Sequence, residues 1–273
     1  MEEGAIGVFD SGIGGLTVLK EIIKLLPQED TIYLGDTARV PYGIKSSMVV
    51  TKYAQENAQF LTEKAIKFLV IACNTASAFA LSSLEEKFTL PIVGVIEPGA
   101  KGAIRVTKSK RVGVIGTEGT INSQAYQKTI NRLDPSIQIF GKPCPLFVPL
   151  VEEGWIDNQI VKLTAESYLQ DTKGRGIDAL ILGCTHYPVL KKIIGDTVGS
   201  EIALIDSAFE TAKEVSNILK KKGILRRRNK NPFHKFYVTD LPDRFIRVAR
   251  KFLNEELMDE VGQAEIAHME NIC

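Results

Sequence analysis

The stretch Phe68-Leu69-Val70-Ile71-Ala72-Cys73-Asn74-Thr75-Ala76-Ser77 decides the fold, because it joins a continuous apolar run to a polar segment that opens a helix. An apolar run of this length without alternation is typical of a parallel strand that is covered on both faces. The helical pattern Ala76–Lys87 follows it directly. Ligands of parallel sheets bind outside the carboxyl ends of the strands, which is where Cys73 is expected.

Short apolar runs alternate with helical patterns along the rest of the chain. The predicted strands are Ala5–Phe9, Thr31–Leu34, Phe68–Ala72, Pro91–Ile96, Arg111–Ile115, Ala179–Leu182 and Glu201–Ile205. The predicted helices are Leu16–Leu26, Ser47–Lys64, Ala76–Lys87, Asn122–Leu133, Asn158–Gln170, Val189–Val198 and Ala208–Lys222. Strand–helix alternation of this kind predicts an α/β fold with mostly parallel sheets.

The chain also contains an internal repeat. Ile6–Gly12 resembles Val112–Glu118, and Ile71–Thr75 resembles Leu182–His186 at a nearly equal separation along the chain. Two matched pairs at nearly one spacing predict two similar α/β halves, each with a cysteine at a strand end. A pseudo-twofold arrangement of the halves would aim the two thiols at one point from opposite sides.

Composition and charge exclude several classes of protein. The 273 residues suffice for two compact domains, and the formal net charge of +1 gives no overall field toward nucleic acid or an anionic membrane. No apolar run is long enough to span a bilayer, and Met1-Glu2-Glu3 lacks the basic start of a signal peptide. We therefore expect a cytoplasmic protein. The basic segment Lys220–Lys230 is interpreted as a solvated helix end and loop, because aromatic or groove-reading partners are missing nearby.

The four cysteines are best interpreted as single thiols. Cys73, Cys144, Cys184 and Cys273 are too few for a disulfide framework in a chain of this length. No C-x-x-C pair occurs, and the closely spaced Cys184 and His186 lack a second ligand pair of zinc-site spacing. We therefore expect no metal, and the absence of pyridoxal, flavin and nicotinamide motifs predicts no organic cofactor.

Each strand-end motif, taken by itself, leaves alternatives open. Asp10 begins the glycine-rich turn Asp10–Gly15 and would pair with a substrate ammonium or simply cap a helix. At Cys73 alone, a buried structural thiol and a catalytic thiol at a helix N-terminus are equally open. His186 would lower the pKa of the Cys184 thiol or relay its proton, although a lone histidine is more often structural.

The repetition of the cysteine motif favours chemistry, because two cysteines at equivalent ends of two halves are hard to explain as packing. A hydrolase with one cysteine nucleophile would leave Cys73 unexplained. The reaction that needs two thiols is inversion at a weakly acidic C–H, in which one group removes a proton and another returns a proton to the opposite face. Amides and hydroxyls at the strand ends would stabilise the charge that develops on the substrate carboxylate.

Taken together and in this order, the motifs resemble the glutamate racemases over nearly the whole chain. The stretches that carry the resemblance are Val8–Leu16, Gly35–Gly43, Cys73–Ser77, Gly94–Gly99, Gly116–Thr120, Pro149–Gly154, Gly183–Pro188 and Phe236–Asp240. The resemblance implies two pseudo-symmetric three-layer α/β/α domains, 1–97 with 209–273 and 98–208, with the active site in the cleft between them.

The same resemblance assigns the site residues. It implies Cys73 and Cys184 as the catalytic pair, supported by Asp10, Glu152 and His186. The residues implied to bind substrate are Asp10, Ser11, Pro41, Tyr42, Gly43, Asn74, Thr75, Thr117, Thr120, Thr185 and His186.

The implied partners are L- and D-glutamate, with a homodimer as the candidate assembly and peptidoglycan synthesis as the use of D-glutamate. The alternatives are an aspartate racemase with the same two-thiol chemistry, a protein that only binds an acidic amino acid, and a metal-binding module.

Overall fold

The computed structural model describes residues 4–226, 231–253 and 257–267, and it contains two parallel β-sheets. Three features of the sequence lie outside these ranges: Met1-Glu2-Glu3, the end of the basic segment at 227–230, and Cys273. The first sheet consists of β1 (Ala5–Asp10), β2 (Thr31–Gly35), β3 (Ile66–Ile71), β4 (Ile92–Gly94), β9 (His234–Val238) and β10 (Glu265–Ile266). The second consists of β5 (Arg111–Gly116), β6 (Gln138–Pro143), β7 (Ala179–Gly183) and β8 (Ala203–Asp206).

The strand orders place the earliest strands of each half in the middle of its sheet. They are β10-β9-β2-β1-β3-β4 and β6-β5-β7-β8, and every pairing between described strands is parallel. The carboxyl ends of β1 and β3 are therefore neighbours in the first sheet, as are those of β5 and β7 in the second. The predicted α/β class with mostly parallel sheets is confirmed.

Helices cover both faces of the sheets, as the continuous apolar strands predicted. Their bounds are α1 (Leu16–Leu25), α2 (Ser47–Glu63), α3 (Asn74–Lys87), α4 (Ile96–Val106), α5 (Glu118–Asn122), α6 (Ala125–Leu133), α7 (Phe147–Glu152), α8 (Gln159–Lys173), α9 (Lys191–Val198), α10 (Ser207–Lys222), α11 (Pro242–Ala249) and α12 (Met258–Val261). None of the described helices is long and apolar enough to cross a membrane.

Alternate residues of β1 enter different cores, because successive side chains of a strand point to opposite faces. Phe9 packs with residues of α2 and α3 on one face of the first sheet. Ile6 and Val8 belong to a second core, which runs through α1 and α10 and continues into the second half beneath α8 and α9. A third core lies between α4, α6 and the other face of the second sheet. The middle core is therefore shared by the two sheets.

The last strands return to the first sheet after the second sheet is complete. β9 pairs with β2, with Tyr33 opposite Phe236, and β10 extends the same edge. The first sheet is therefore built from two separate segments of the sequence, one that contains β1 to β4 and one that contains β9 and β10. The expected domain boundaries at 97/98 and 208/209 stay a prediction.

The predicted strands corresponding to β1, β2, β3, β5, β7 and β8 are confirmed to within two residues. The strand predicted over Pro91–Ile96 is too long, because β4 ends at Gly94 and Ile96 already begins α4. Pro98 is accepted there, since the first turn of a helix needs no proline N–H. The helix predicted over Asn122–Leu133 is divided, because α5 ends at Asn122 and Gln124 has a φ of 57°. The sequence predictions lacked β6, β9, β10, α4, α5, α7, α11 and α12.

Candidate active site

Four strand ends supply the polar groups of the candidate site. Asp10 ends β1, Cys73 follows β3, Thr117 follows β5 and Cys184 follows β7. The two cysteines are each 6% exposed, and Asp10 is fully buried. The structure thus brings the predicted strand-end residues of both halves to one region, which lies where ligands of parallel sheets bind.

Cys73 forms the start of α3. Its Sγ accepts a hydrogen bond from the Ala76 amide at 3.5 Å, so the thiol sits at the positive end of the helix. Burial nevertheless raises the pKa of the Cys73 thiol to about 12, and the charges of Asp10 and Cys184 add to the rise. A hydrogen bond from the half-buried Ser11 offsets part of it. Cys73 is therefore a proton-carrying thiol in the described state.

Cys184 is the first member of a chain of contacts that runs through His186 to Glu152. Its Sγ lies 3.9 Å from His186 Nδ1, and His186 Nε2 lies 3.2 Å from Glu152 Oε1. Burial lowers the pKa of His186, but the contacts with Cys184 and Glu152 outweigh it and raise that pKa to about 10. His186 is therefore held as a cation at neutral pH, between the Cys184 sulfur and the Glu152 carboxylate.

Asp10 lies beside this chain of contacts. Its Oδ2 accepts a hydrogen bond from the Gly12 amide at 2.9 Å, and its Oδ1 accepts one from Thr185 Oγ1 at 3.4 Å. Burial raises the pKa of Asp10, although the His186 charge and these hydrogen bonds oppose the rise. The carboxylate is thus anchored by the turn that the sequence singled out, and the charge of His186 favours its ionised form.

Three threonine hydroxyls join the two halves at the other side of the site. Thr75 Oγ1 lies 2.9 Å from Thr117 Oγ1 and 3.1 Å from Thr120 Oγ1, and the last two oxygens are 3.1 Å apart. Thr75 belongs to α3, whereas Thr117 and Thr120 flank the start of α5. A triangle of hydroxyls at two helix starts can donate hydrogen bonds to an anionic group.

Asn74 offers an unused donor next to Cys73. Its Oδ1 accepts a hydrogen bond from Tyr126 OH at 2.7 Å, which fixes the orientation of the amide. Its Nδ2 is buried and has no hydrogen-bond partner among the described residues. Because an unpaired buried donor is costly, this atom marks a place where a ligand acceptor would be stabilised.

The loop Pro41–Gly43 reaches the site through its backbone rather than through the tyrosine hydroxyl. Tyr42 is buried, and its OH donates to Asp36 and accepts from Asn57 Nδ2 at 3.1 Å. Gly43 lies against the second half, since a Cβ added there would be 2.6 Å from the Thr117 Cβ. Pro41 is exposed at the start of this loop.

Several residues around the site could not be recognised from the sequence. Tyr126 orients Asn74 from the second half, and Arg244, Lys251 and Phe252, which follow β9, contact the Glu152–His186 pair. No motif signals them, because each acts only through a neighbour distant in sequence. Across the described ranges, no group of three or more histidine, cysteine, aspartate or glutamate side chains is arranged to hold a metal ion.

Comparison with known proteins places the chain in a family. The family model for Asp/Glu/Hydantoin racemases matches residues 6–215. A glutamate racemase of Geobacter metallireducens is 58% identical over 255 residues, which cover 93% of this chain and 94% of that protein.

Solved structures agree with this placement. A glutamate racemase from Francisella tularensis, in complex with D-glutamate, superposes with a TM-score of 0.91 at 40% identity over 100% of both chains. A glutamate racemase isoform from Bacillus anthracis gives a TM-score of 0.90 at 43% identity and covers 92% of this chain and 94% of its own. An aspartate racemase from Picrophilus torridus shares the fold, at 21% identity and a TM-score of 0.54. This chain belongs to the Asp/Glu/Hydantoin racemase family, and within it to the glutamate racemases.

Proposed function

We propose that this protein interconverts L-glutamate and D-glutamate without a cofactor, using Cys73 and Cys184 on opposite faces of the substrate α-carbon. The observation that carries the proposal is the pair of buried thiols at equivalent strand ends of two sheets, near enough for the charge of one to affect the other. D-glutamate made in this way would supply peptidoglycan synthesis.

Different surroundings support different starting roles for the two thiols. The cationic His186 lies beside Cys184, whereas the high pKa of Cys73 favours a thiol, which can donate a proton. In this state the protein is prepared for the enantiomer whose α-proton faces Cys184, and the resemblance to the family assigns L-glutamate to that side.

The reaction then consists of two proton transfers. The Cys184 thiolate takes the α-proton, and the electron pair of the C–H bond delocalises into the substrate carboxylate. The Cys73 thiol gives its proton to the opposite face of the α-carbon, which leaves Cys73 as the thiolate and Cys184 as the thiol. D-glutamate reacts by the same two steps in reverse order, so each thiol serves one enantiomer as base.

Groups at the helix starts would bind the charged ends of the substrate. Asn74 Nδ2 is a buried donor without a protein partner, and the hydroxyls of Thr75, Thr117 and Thr120 lie beside it in the chain or across the cleft. These donors suit a carboxylate, and they would stabilise the charge that develops on it. Asp10 suits the ammonium group.

The remaining groups of the proposed site act from its edges. Ser11 and Thr185 lie beside Cys73 and Asp10, while the backbone of Pro41–Gly43 closes the side next to Thr117. Glu152 and His186 would hold and supply the charge that Cys184 needs. We further propose that residues 1–97 with 209–273 form one domain, that 98–208 form the other, and that the substrate binds between them.

Incubation with L-glutamate in deuterated water tests the function and its two-base mechanism together. At low conversion the new D-glutamate should carry deuterium from the solvent-equilibrated Cys73 thiol, while the remaining L-glutamate carries little. Early labelling of both enantiomers to a comparable extent would eliminate two separate bases. L-aspartate should be inverted far more slowly in a parallel reaction, and equal turnover of both amino acids would contradict the assignment of glutamate.

A further inference from the structure

The segment 244–252, which follows β9, makes three contacts with the Glu152–His186 pair. Arg244 Nη2 lies 3.4 Å from Glu152 Oε2, and Lys251 Nζ donates to the backbone oxygen of Glu152 at 3.1 Å. The ring of Phe252 meets the ring of His186 edge-on, with the centroids 5.7 Å apart. All three residues follow β9, a strand of the first sheet. They contact Glu152 and His186, which support Cys184 at the end of β7 in the second sheet.

Arg244 and His186 divide the Glu152 carboxylate between them. Oε1 faces His186 Nε2 at 3.2 Å and Oε2 faces Arg244, so the two contacts together fix how the carboxylate is turned. Glu152 is the last residue of the six-residue helix α7, and its carboxylate has no other hydrogen bond or ion pair among the described residues. The Arg244 guanidinium is about half exposed, so it stays hydrated and its charge carries little desolvation cost.

The charges around this pair alternate in sign. Burial raises the pKa of Glu152, but His186, then Arg244 and Lys251, lower it below its ordinary value. His186 in turn faces Cys184, Glu152 and Asp10. The contacts therefore run from the Cys184 sulfur to the His186 imidazolium, the Glu152 carboxylate and the Arg244 guanidinium. Loss of the Arg244 guanidinium would leave the Glu152 carboxylate free to turn.

We propose that Arg244 is a positioning residue for the Cys184 half of the reaction: it holds Glu152 so that His186 stays aligned with the Cys184 sulfur. This inference rests on the proposed function, because it concerns one of the two proton transfers. Cys73 has no comparable contact with Arg244. Loss of Arg244 should therefore slow proton transfer at Cys184 and leave transfer at Cys73 nearly unchanged.

Isotope effects on the two substrates distinguish the two transfers. A racemisation has an equilibrium constant of one, so kcat/KM must be equal for the two enantiomers in every variant. Rates alone therefore cannot show which proton transfer has slowed. Glutamate deuterated at the α-carbon can show it. When transfer at Cys184 becomes slower, the isotope effect on kcat/KM should rise for L-glutamate, whose α-proton Cys184 removes, and fall toward unity for D-glutamate.

The experiment compares Arg244→Gln, Arg244→Lys and the control Arg247→Gln with the unmodified protein. Arg247 lies on the same helix, is exposed and has no side-chain bond among the described residues, so the control removes the same charge without the contact. We expect Arg244→Gln to lower kcat/KM about three- to fivefold, the size of a partly exposed ion pair, and to move the two isotope effects in opposite directions. Arg244→Lys should restore most of the loss.

Several outcomes would overturn the inference. Unchanged isotope effects in Arg244→Gln, or effects that move in the same direction for both enantiomers, would mean that Arg244 has only a structural role. An equal shift in Arg247→Gln would mean that net charge, not the contact, is responsible. If the unmodified protein did not invert glutamate, the proposed function itself would fall, and this is seen before any Arg244 variant is compared.

Discussion

Gly14→Ala is a sharp test of how closely the two halves must meet at the Cys184 side of the site. A methyl group at Gly14 would lie 2.3 Å from Thr185 Oγ1 and 2.5 Å from His186 Nδ1. The Gly14 backbone cannot easily withdraw, because its carbonyl accepts hydrogen bonds from both the amide and the hydroxyl of Thr17. The added carbon must therefore displace Thr185 and His186.

The size of the effect follows from the overlap. An ordinary contact begins at 3.4 Å, so Thr185 or the imidazole must move by roughly 1 Å. A displacement of about 1 Å at a catalytic group costs on the order of a hundredfold in rate, or ~2.7 kcal/mol in the barrier. Overpacking should also lower the free energy of unfolding by about 1–3 kcal/mol.

Turnover is followed by the circular dichroism of glutamate, and stability by thermal unfolding. Gly12→Ala is the matched control in the same turn, since its methyl group would meet only Val40, at an ordinary 3.5 Å. We expect this control to keep most of the activity. The reasoning would be refuted if Gly14→Ala stayed within about threefold of the unmodified protein, or if Gly12→Ala lost as much.

Three further predictions concern the thiols, the fold and the pH range. Cys73→Ser and Cys184→Ser should each abolish turnover with an unchanged circular dichroism spectrum of the protein, and full activity in either would remove that residue from the mechanism. Lys67→Met should lower the free energy of unfolding, measured in urea, by about 3–5 kcal/mol. The reason is that the Glu29 carboxylate, which is 2% exposed and lies 2.6 Å from the Lys67 ammonium, would lose its counter-charge. A loss below ~1 kcal/mol would show that the ion pair does not stabilise the fold. His186 has a folded-state pKa raised to about 10, so its contribution to stability is complete below about 6.5 and is lost as pH rises through about 10. Turnover should fall over the same alkaline range, and a rate that stays level well above pH 10 would contradict a cationic role for His186.

The sequence was sufficient for the class of fold and for the two thiols. The strands at β1, β3, β5 and β7 are local signals, since a continuous apolar run bounded by a helical pattern needs no distant partner to be recognised. The same holds for Cys73 and Cys184, whose place at a strand end follows from the residues on either side. The proposal that both thiols are catalytic rests on the motif occurring twice at a similar interval, which a single strand end could not have shown.

The sequence was weaker wherever pairing or packing decides the structure. The strand predicted over Pro91–Ile96 gave way to a helix at Ile96, because burial of one face of α4 against α6 and α10 outweighs a β-branched composition. β6 is half-exposed and ends in Lys142 and Pro143, so its pattern is too weak to stand out from a loop. β9 is a strand because it pairs with the edge of β2, far earlier in the chain.

Tertiary structure alone determined which residues support the candidate site. Tyr126 orients Asn74 across 52 positions of sequence, and Arg244 meets Glu152 across 92. Neither residue type is unusual, and neither lies in a repeated motif. Hydrophobic periodicity records which face of an element is buried, but it carries no information on which distant element lies against that face. The thiols were therefore readable from the chain itself, while the groups that orient their neighbours depend on how the two sheets pack together.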